Sequence, residues 1–421
     1  MSRRALLIAY HFPPFQGSSG VHRTVAFARY LREFGWDVSV LTVHPRAYLN
    51  GRAENAELIP ADIKMHRAFA CDAQRDFSIG GRYLRILELP DRWQSWIITG
   101  TLAGLSAIRR DGITTLFSTF PIASAHAVGW CLNRLTGLPW CADFRDPMAQ
   151  VDYPSDPRVR WCYRKIEKAV FRRAAAVTVT TPTTAQNYAN KYPDYAPSRI
   201  NVINNGYDEE TFRGLEMPTA AASRERDGPL VLLHSGILYP MERNPGCLFA
   251  ALGELKREGA ITAARLRVRL RASGSEDIYR KDAAAAGVAD MVELAPPVDY
   301  RSAVEEMCKV DGLIACQSRL CDEQIPAKVY EYLYTRKPVL GLANPDGDTG
   351  RLLRSVGFTH IAALEDTAAI KRVLLEFVTA VERNECPTPS ADAVRAFSRR
   401  EGARELARVF EHITGHQAPA K

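Results

Sequence analysis

Two carboxylates eight positions apart, Glu323 and Glu331, flank a lysine in the segment Asp322-Glu323-Gln324-Ile325-Pro326-Ala327-Lys328-Val329-Tyr330-Glu331. Glu323 reads as part of a loop leaving a strand, and Pro326 can open a helix at its first turn, which puts Glu331 on that helix. A carboxylate so placed accepts two hydroxyl hydrogen bonds, the way proteins grip a sugar or ribose diol. Lys328, one turn before Glu331, points near the same mouth and can neutralise a phosphate. The same residues taken singly also fit an amphipathic helix with Glu and Lys on its solvated side.

A second group lies in the first half. Gly17-Ser18-Ser19-Gly20 stands between a first strand and a helix, where free N–H groups and the helix dipole attract phosphate, although a plain tight turn fits equally. It is not Gly-x-Gly-x-x-Gly, and no Gly-x4-Gly-Lys-Ser/Thr occurs, so neither dinucleotide nor P-loop fingerprint is present. His126 and Asp143-Phe144-Arg145-Asp146 are candidates for polarising a hydroxyl, Asp143 because it ends a strand. A helix-borne histidine is also often just packed, and Arg145-Asp146 can be a structural ion pair. Arg158, Arg160, Arg164, Lys165, Lys168, Arg172 and Arg173, interleaved with Trp161, Tyr163 and Phe171, make a basic helix. It suits an anionic membrane surface as well as a solvated face, and no nucleic-acid motif accompanies it. Asp348-Thr349 read as a helix N-cap. His412 and His416 have metal-ligand spacing without a third ligand, so no metal is expected.

The elements that must position these groups alternate. Ala5 to Tyr10 is a buried strand. Val25, Phe27, Ala28, Leu31 and Phe34 follow at helical spacing, Gly35 stops that helix, and Asp37 to Thr42 is the next strand, a βαβ unit. Further strands are expected at Leu116–Ser118, 140–142, Ala176–Thr180 and Ile200–Ile203, then after a polar stretch at Leu230–His234, Leu266–Leu270, Gly312–Cys316 and Pro338–Leu342. Helices are expected near Asn244–Lys256 and Ala327–Tyr334. This predicts two doubly wound halves with parallel sheets: domains 1–206 and 230–389, a linker 207–229, and a terminal segment 390–421. The last is read as a helix with Val394, Phe397, Leu406, Val409 and Phe410 on its apolar face, returning to the first domain.

At 421 residues the chain suits two to three domains, and 46% hydrophobic with 24% charged residues excludes wholesale disorder or a disulfide-framed miniprotein. Nine cysteines include no Cys-x-x-Cys and read as reduced, cytoplasmic thiols. From Met1 to Phe212 there are 26 Lys and Arg against 19 Asp and Glu, so the whole net charge of +7 sits in the first half, with all six tryptophans. Such a half can face an anionic membrane or an acidic acceptor. The longest apolar run, Ser95 to Ile108, is 14 residues, short of the roughly 20 that span a bilayer.

These motifs together resemble family 4 retaining glycosyltransferases of the GT-B fold. The likeness rests on Glu323-x7-Glu331, the first glycine-rich loop, Asn204-Asn205-Gly206-Tyr207-Asp208, and His234-Ser235-Gly236. His11-Phe12-Pro13-Pro14, Asp143 to Pro147, and Arg243-Asn244-Pro245 are similar to a bacterial polysaccharide-assembly branch. The resemblance implies two Rossmann-like domains facing a central cleft and a nucleotide diphosphate sugar, UDP- or GDP-linked, as co-substrate, with no tightly bound cofactor. It implies Glu331 on the ribose hydroxyls, and Glu323 with the Gln324 and Ile325 amides on the transferred sugar. Arg243 and Lys328 would bind the diphosphate, with Gly17, Gly20 and Gly236 approaching the donor closely. His126 and Asp143 would serve the acceptor side. The acceptor would be a glycan or polyprenyl-diphosphate-linked saccharide at the inner face of the cytoplasmic membrane. Two departures stand out: Gly236-Ile237 where the family often has Gly-Arg, and Glu323-Gln324-Ile325-Pro326 where it often has Glu-Gly-Phe-Gly. A nucleotide-sugar 2-epimerase and a non-catalytic sugar-nucleotide-binding subunit are the alternatives.

Overall fold

A computed structural model of the chain describes residues 2–15, 19–48, 59–60, 62–80, 82–215 and 228–415. Gly17 and His416 lie outside the described residues, as does most of the 207–229 stretch. The chain forms two compact units, Met1–Asn205 with Arg399–Lys421, and Gly206–Ser398.

The first unit holds strands β1 (Arg4–Ile8), β2 (Asp37–Val43), β3 (Lys64–Ala68), β4 (Thr115–Thr119), β5 (Trp140–Arg145), β6 (Ala176–Val179) and β7 (Ile200–Val202). They pair in the order β3-β2-β1-β4-β5-β6-β7, all parallel. Its helices are α1 (Ser19–Tyr30), α2 (Ala73–Asp76), α3 (Ser95–Asp111), α4 (Ala123–Thr136), α5 (Pro157–Arg173) and α6 (Pro182–Lys191). A parallel sheet must be covered on both faces, and β1 shows it residue by residue. Leu6 and Ile8 enter a core with Trp96 of α3, Val128 of α4 and Val170 of α5. Ala5 and Leu7 enter the opposite core with Val25 of α1 and Leu406 and Phe410 from the chain's last helix.

The second unit holds β8 (Leu230–Ser235), β9 (Leu266–Arg271), β10 (Val292–Ala295), β11 (Gly312–Gln317), β12 (Val339–Ala343) and β13 (Ile361–Ala362), in the order β10-β9-β8-β11-β12-β13. Its helices are α7 (Gly246–Arg257), α8 (Glu276–Ala285), α9 (Tyr300–Lys309), α10 (Ala327–Thr335), α11 (Asp348–Ser355), α12 (Thr367–Glu382) and α13 (Ala391–Arg395); α14 (Arg399–Thr414) belongs to the first unit. Leu232 and Leu233 again divide between two cores, one with α7 and α12, the other with α9 and α10.

The doubly wound α/β class is as expected. Three strands, β3, β10 and β13, have no counterpart in the sequence reading. Each is an edge strand, so it is only partly buried and carries no continuous apolar run to announce it. The apolar positions read as one helix over 390–412 divide, with Val394 of α13 and Phe397 in the turn after it joining a core of the second unit and Leu406, Val409 and Phe410 of α14 a core of the first.

Candidate functional site

In the second unit the strand order turns about β8 and β11, and the carboxyl ends of two such strands are where open α/β sheets bind ligands. His234, one residue from the end of β8, is fully buried. Its Nδ1 lies 2.9 Å from the Ile314 carbonyl oxygen, which can only accept, so Nδ1 carries the proton and Nε2 keeps its lone pair. Burial first, then the Lys328 ammonium, hold this imidazole well below its usual pKa. Lys328 Nζ, in the first turn of α10, stands 3.4 Å from that Nε2 and donates to it. Burial and the nearby Arg243 guanidinium lower the lysine to about 8. The backbone makes room for it: Gly236 has φ 114°, and a Cβ there would fall 2.3 Å from Nζ, so only glycine fits.

Arg243 is held by a different device. Its Nε donates to Gln317 Oε1 at 2.9 Å at the end of β11, and Gln317 Nε2 donates to the Cys321 carbonyl at 3.0 Å. The guanidinium also lies over Tyr239, 5.8 Å from the ring centroid. Lys328, His234, Gly236, Arg243 and Gln317 therefore form one positively charged cluster. Glu331 sits on the next turn of α10, where its Oε1 accepts the Tyr300 hydroxyl at 2.6 Å and its charge favours the Lys328 ammonium.

Glu323 is partly exposed in the turn before α10. The Gln324 amide already donates to Cys321 O at 2.9 Å, while that of Ile325 meets no acceptor among the described residues. Gln324 O accepts Thr349 Oγ1 at 3.0 Å. This overturns the capping role expected of Asp348 and Thr349: Gly347 is the N-cap of α11 and neither side chain caps it. Thr349 instead ties α11 to the Glu323 turn.

In the first unit Asp143 on β5 is fully buried and saturated with donors. Arg23 reaches it through Nε at 3.3 Å and Nη2 at 3.1 Å, and Thr119 and Thr178 hydroxyls donate at 2.8 Å each. Burial pushes its pKa up, but the Arg23 charge and these hydrogen bonds outweigh it and leave the carboxyl below its usual range. His126 is fully buried, its Nδ1 2.8 Å from Ser118 Oγ, which also accepts Trp140 Nε1 at 2.9 Å. Its Nε2 meets no partner among the described residues, and burial lowers the ring to about 4. His11 behaves alike, lowered to about 4 by burial and the Arg145 charge. Neither Asp143 nor His126 presents a side chain to solvent.

Gly20, at the front of α1, is where Arg145 comes closest: a Cβ would lie 2.0 Å from Arg145 Nη1. Arg145 has φ 61°, and its Nη1 donates to Phe120 O at 3.2 Å. Burial raises the neighbouring Asp146 carboxyl, against the pull of Arg145. Arg23 has no place in the sequence reading. Its signal is position: four residues before Phe27 on the inward face of α1, it is a cation where an apolar residue belongs. Among the described residues no group of three or more His, Cys, Asp or Glu is placed to hold a metal.

Residues 19–206 match the model of the glycosyl transferase 4-like domain. No curated protein matches the chain in sequence. Among solved structures, sucrose-phosphate synthase from Thermosynechococcus elongatus is similar at 15% identity and TM-score 0.64, over 99% of this chain and 100% of that one. Anabaena Alr3699/HepE, solved with UDP-glucose, is similar at 12% identity and TM-score 0.63, covering 97% and 99%. A UDP-N-acetylglucosamine 2-epimerase is similar at 12% identity and TM-score 0.58, covering 100% and 99%. At these identities the likeness is one of fold, and it bears out the two-domain GT-B architecture.

Proposed function

We propose, from the match of residues 19–206 to the glycosyl transferase 4-like domain, that the chain moves a hexosyl unit from a nucleotide diphosphate sugar to a glycan or polyprenyl-diphosphate-linked saccharide, with retention at the anomeric carbon. The observation that carries the reading is the Lys328 ammonium, held against Gly236 by His234 at the strand ends of the second unit.

Catalysis by such a site is mostly charge stabilisation on the leaving group. Lys328 and Arg243 neutralise the diphosphate as the bond from the anomeric carbon to its oxygen breaks. The acceptor oxygen bonds to the same face of that carbon, and its proton passes to the departing phosphate oxygen, so no protein carboxylate is needed as nucleophile. Glu331, oriented at one oxygen by Tyr300, keeps its other oxygen for the ribose diol. Glu323 and the Ile325 amide hold the transferred sugar. Gly236 keeps the approach to the phosphates clear, while the space at Gly20 is taken by the Arg145 guanidinium. Asp143 positions Arg23 on α1 rather than touching the acceptor, and His126 packs beneath the strand ends.

Thermal shift against UDP, GDP, ADP, dTDP and their sugar conjugates tests this. A ligand that binds only the folded state raises Tm by mass action, about 2.7 kcal/mol at a hundred times Kd. One nucleotide should raise Tm and lose that effect in Glu331→Ala; no shift with any of them refutes the donor reading. A nucleotide-sugar 2-epimerase is the second reading, favoured by the likeness to an epimerase fold. It would return the sugar still on its nucleotide, with unchanged mass and no acceptor.

A further inference from the structure

Helices α3, α4 and α5 line one face of the first sheet in succession, α3 against α4 and α4 against α5. Between them they carry ten lysines and arginines and two carboxylates, Asp111 and Glu167. Both carboxylates are buried and face inward: Asp111 accepts Ser39 Oγ at 2.8 Å, and Glu167 accepts the Tyr188 and Tyr192 hydroxyls at 3.1 and 2.5 Å. The outer surface of the three helices therefore shows cations and no anion. Arg160 is spent on the Pro154 and Ser155 carbonyls at 2.9 and 3.1 Å and Arg173 on Asn133 at 3.0 Å. The remaining cations, among them Arg109, Arg134, Arg164, Lys165 and Lys168, are exposed.

The same surface exposes large apolar side chains: Ile98 at 70%, Leu102 at 64%, Leu135 at 63% and Trp161 at 60%. Ile98 and Leu102 are one helical turn apart on α3 and so share a stripe. This explains the uncharged Ser95–Ile108 run: it is too short to span a membrane and no helix among the described residues can, yet its outer side carries Ile98 and Leu102. Asp152 and Asp156, just before α5, bound the surface on one side.

We propose that the outer surface of α3, α4 and α5 docks on an anionic lipid bilayer, the aliphatic and tryptophan side chains entering the headgroup boundary while the cations meet lipid phosphates. Basic residues interspersed with Trp and aliphatics are the composition of an interfacial surface. Aliphatic side chains such as Ile98, Leu102 and Leu135 offer neither charge nor hydrogen bonds to a phosphate backbone, which disfavours a nucleic acid. The proposal deepens the reading of a lipid-linked acceptor and rests on it only for why a membrane would be needed.

The test is sedimentation of the full chain with vesicles of phosphatidylglycerol and phosphatidylcholine in equal parts, or of phosphatidylcholine alone. Binding is expected to the first and not the second, weakening roughly fivefold per cation removed in Arg164→Gln/Lys165→Gln/Lys168→Gln. Ile98→Ser/Leu102→Ser should weaken binding while leaving its salt dependence as in the parent chain. Unchanged melting temperatures and nucleoside diphosphate binding in both variants show that the fold is intact. Failure of the parent chain to bind anionic vesicles overturns the proposal, as does equal or tighter binding of a duplex oligonucleotide. A chain that docks on vesicles but binds no nucleotide refutes the donor reading and leaves the docking face standing.

Discussion

Binding of the nucleoside diphosphate should weaken as pH rises from about 7 to about 9, through one group. With Lys328 near 8, about nine-tenths of it is charged at the lower pH and about one-tenth at the upper. If only the ammonium form binds the diphosphate, affinity falls about tenfold, or about 1.4 kcal/mol. The nearest titratable neighbours do not share this window: Cys316 is pushed up to about 12 by burial, and His234 is held well below its usual range. Unfolding cannot mimic the loss. The folded pKa lies below the unfolded value, so the unfolded chain holds the extra proton between about 8 and 10.5, and this lysine's contribution to stability rises with pH there. Isothermal titration with whichever of UDP, GDP, ADP or dTDP binds tightest, repeated in buffers of different ionisation enthalpy, should show proton uptake approaching one at the upper end. Lys328→Arg, whose charge does not titrate, should be flat. The reasoning is refuted if the parent chain is flat across this range, or if Lys328→Ala binds as tightly as the parent.

Gly236→Ala should lower both stability, by about 1 kcal/mol or more for its left-handed backbone alone, and nucleoside diphosphate affinity, because the new Cβ meets Lys328 Nζ at 2.3 Å; urea denaturation and titration calorimetry read the two losses. Asp143→Asn leaves Arg23 buried without its counter-charge and should cost about 3–5 kcal/mol in urea denaturation, with part recovered by adding Arg23→Met; a cost below about 1 kcal/mol would show the pair to be energetically idle. His11 and His126, both lowered to about 4, take up protons more readily unfolded, so stability should rise with pH between about 4 and 6.5. His126→Phe should remove one proton from that slope, and an unchanged slope in denaturation midpoints across this range would refute the burial argument.

What was legible in the sequence follows from how far each interaction reaches along the chain. Central strands such as β1, β5 and β11 announce themselves because both faces are buried and each carries an apolar run, over residues 5–8, 140–142 and 313–316. Edge strands β3 and β13 do not, since their pairing comes from a neighbouring strand rather than from their own side chains. The same rule separates the parts of the site. Glu323, Lys328 and Glu331 declare a cluster because one turn and one helix hold them, nine residues from end to end. Arg23 and Asp143 are 120 residues apart, and His234 and Lys328 are 94 apart, so nothing local marks them as partners.

Gly236 shows why a departure from a family pattern can be physical rather than a loss. A Gly-Arg pair would set its cation beside β8, whereas here a lysine from α10 reaches the glycine, and the imidazole of β8 accepts its hydrogen bond. A carboxylate in that place would neutralise the lysine. A neutral imidazole, its other nitrogen committed to the Ile314 carbonyl, holds the ammonium and leaves its charge for an anion.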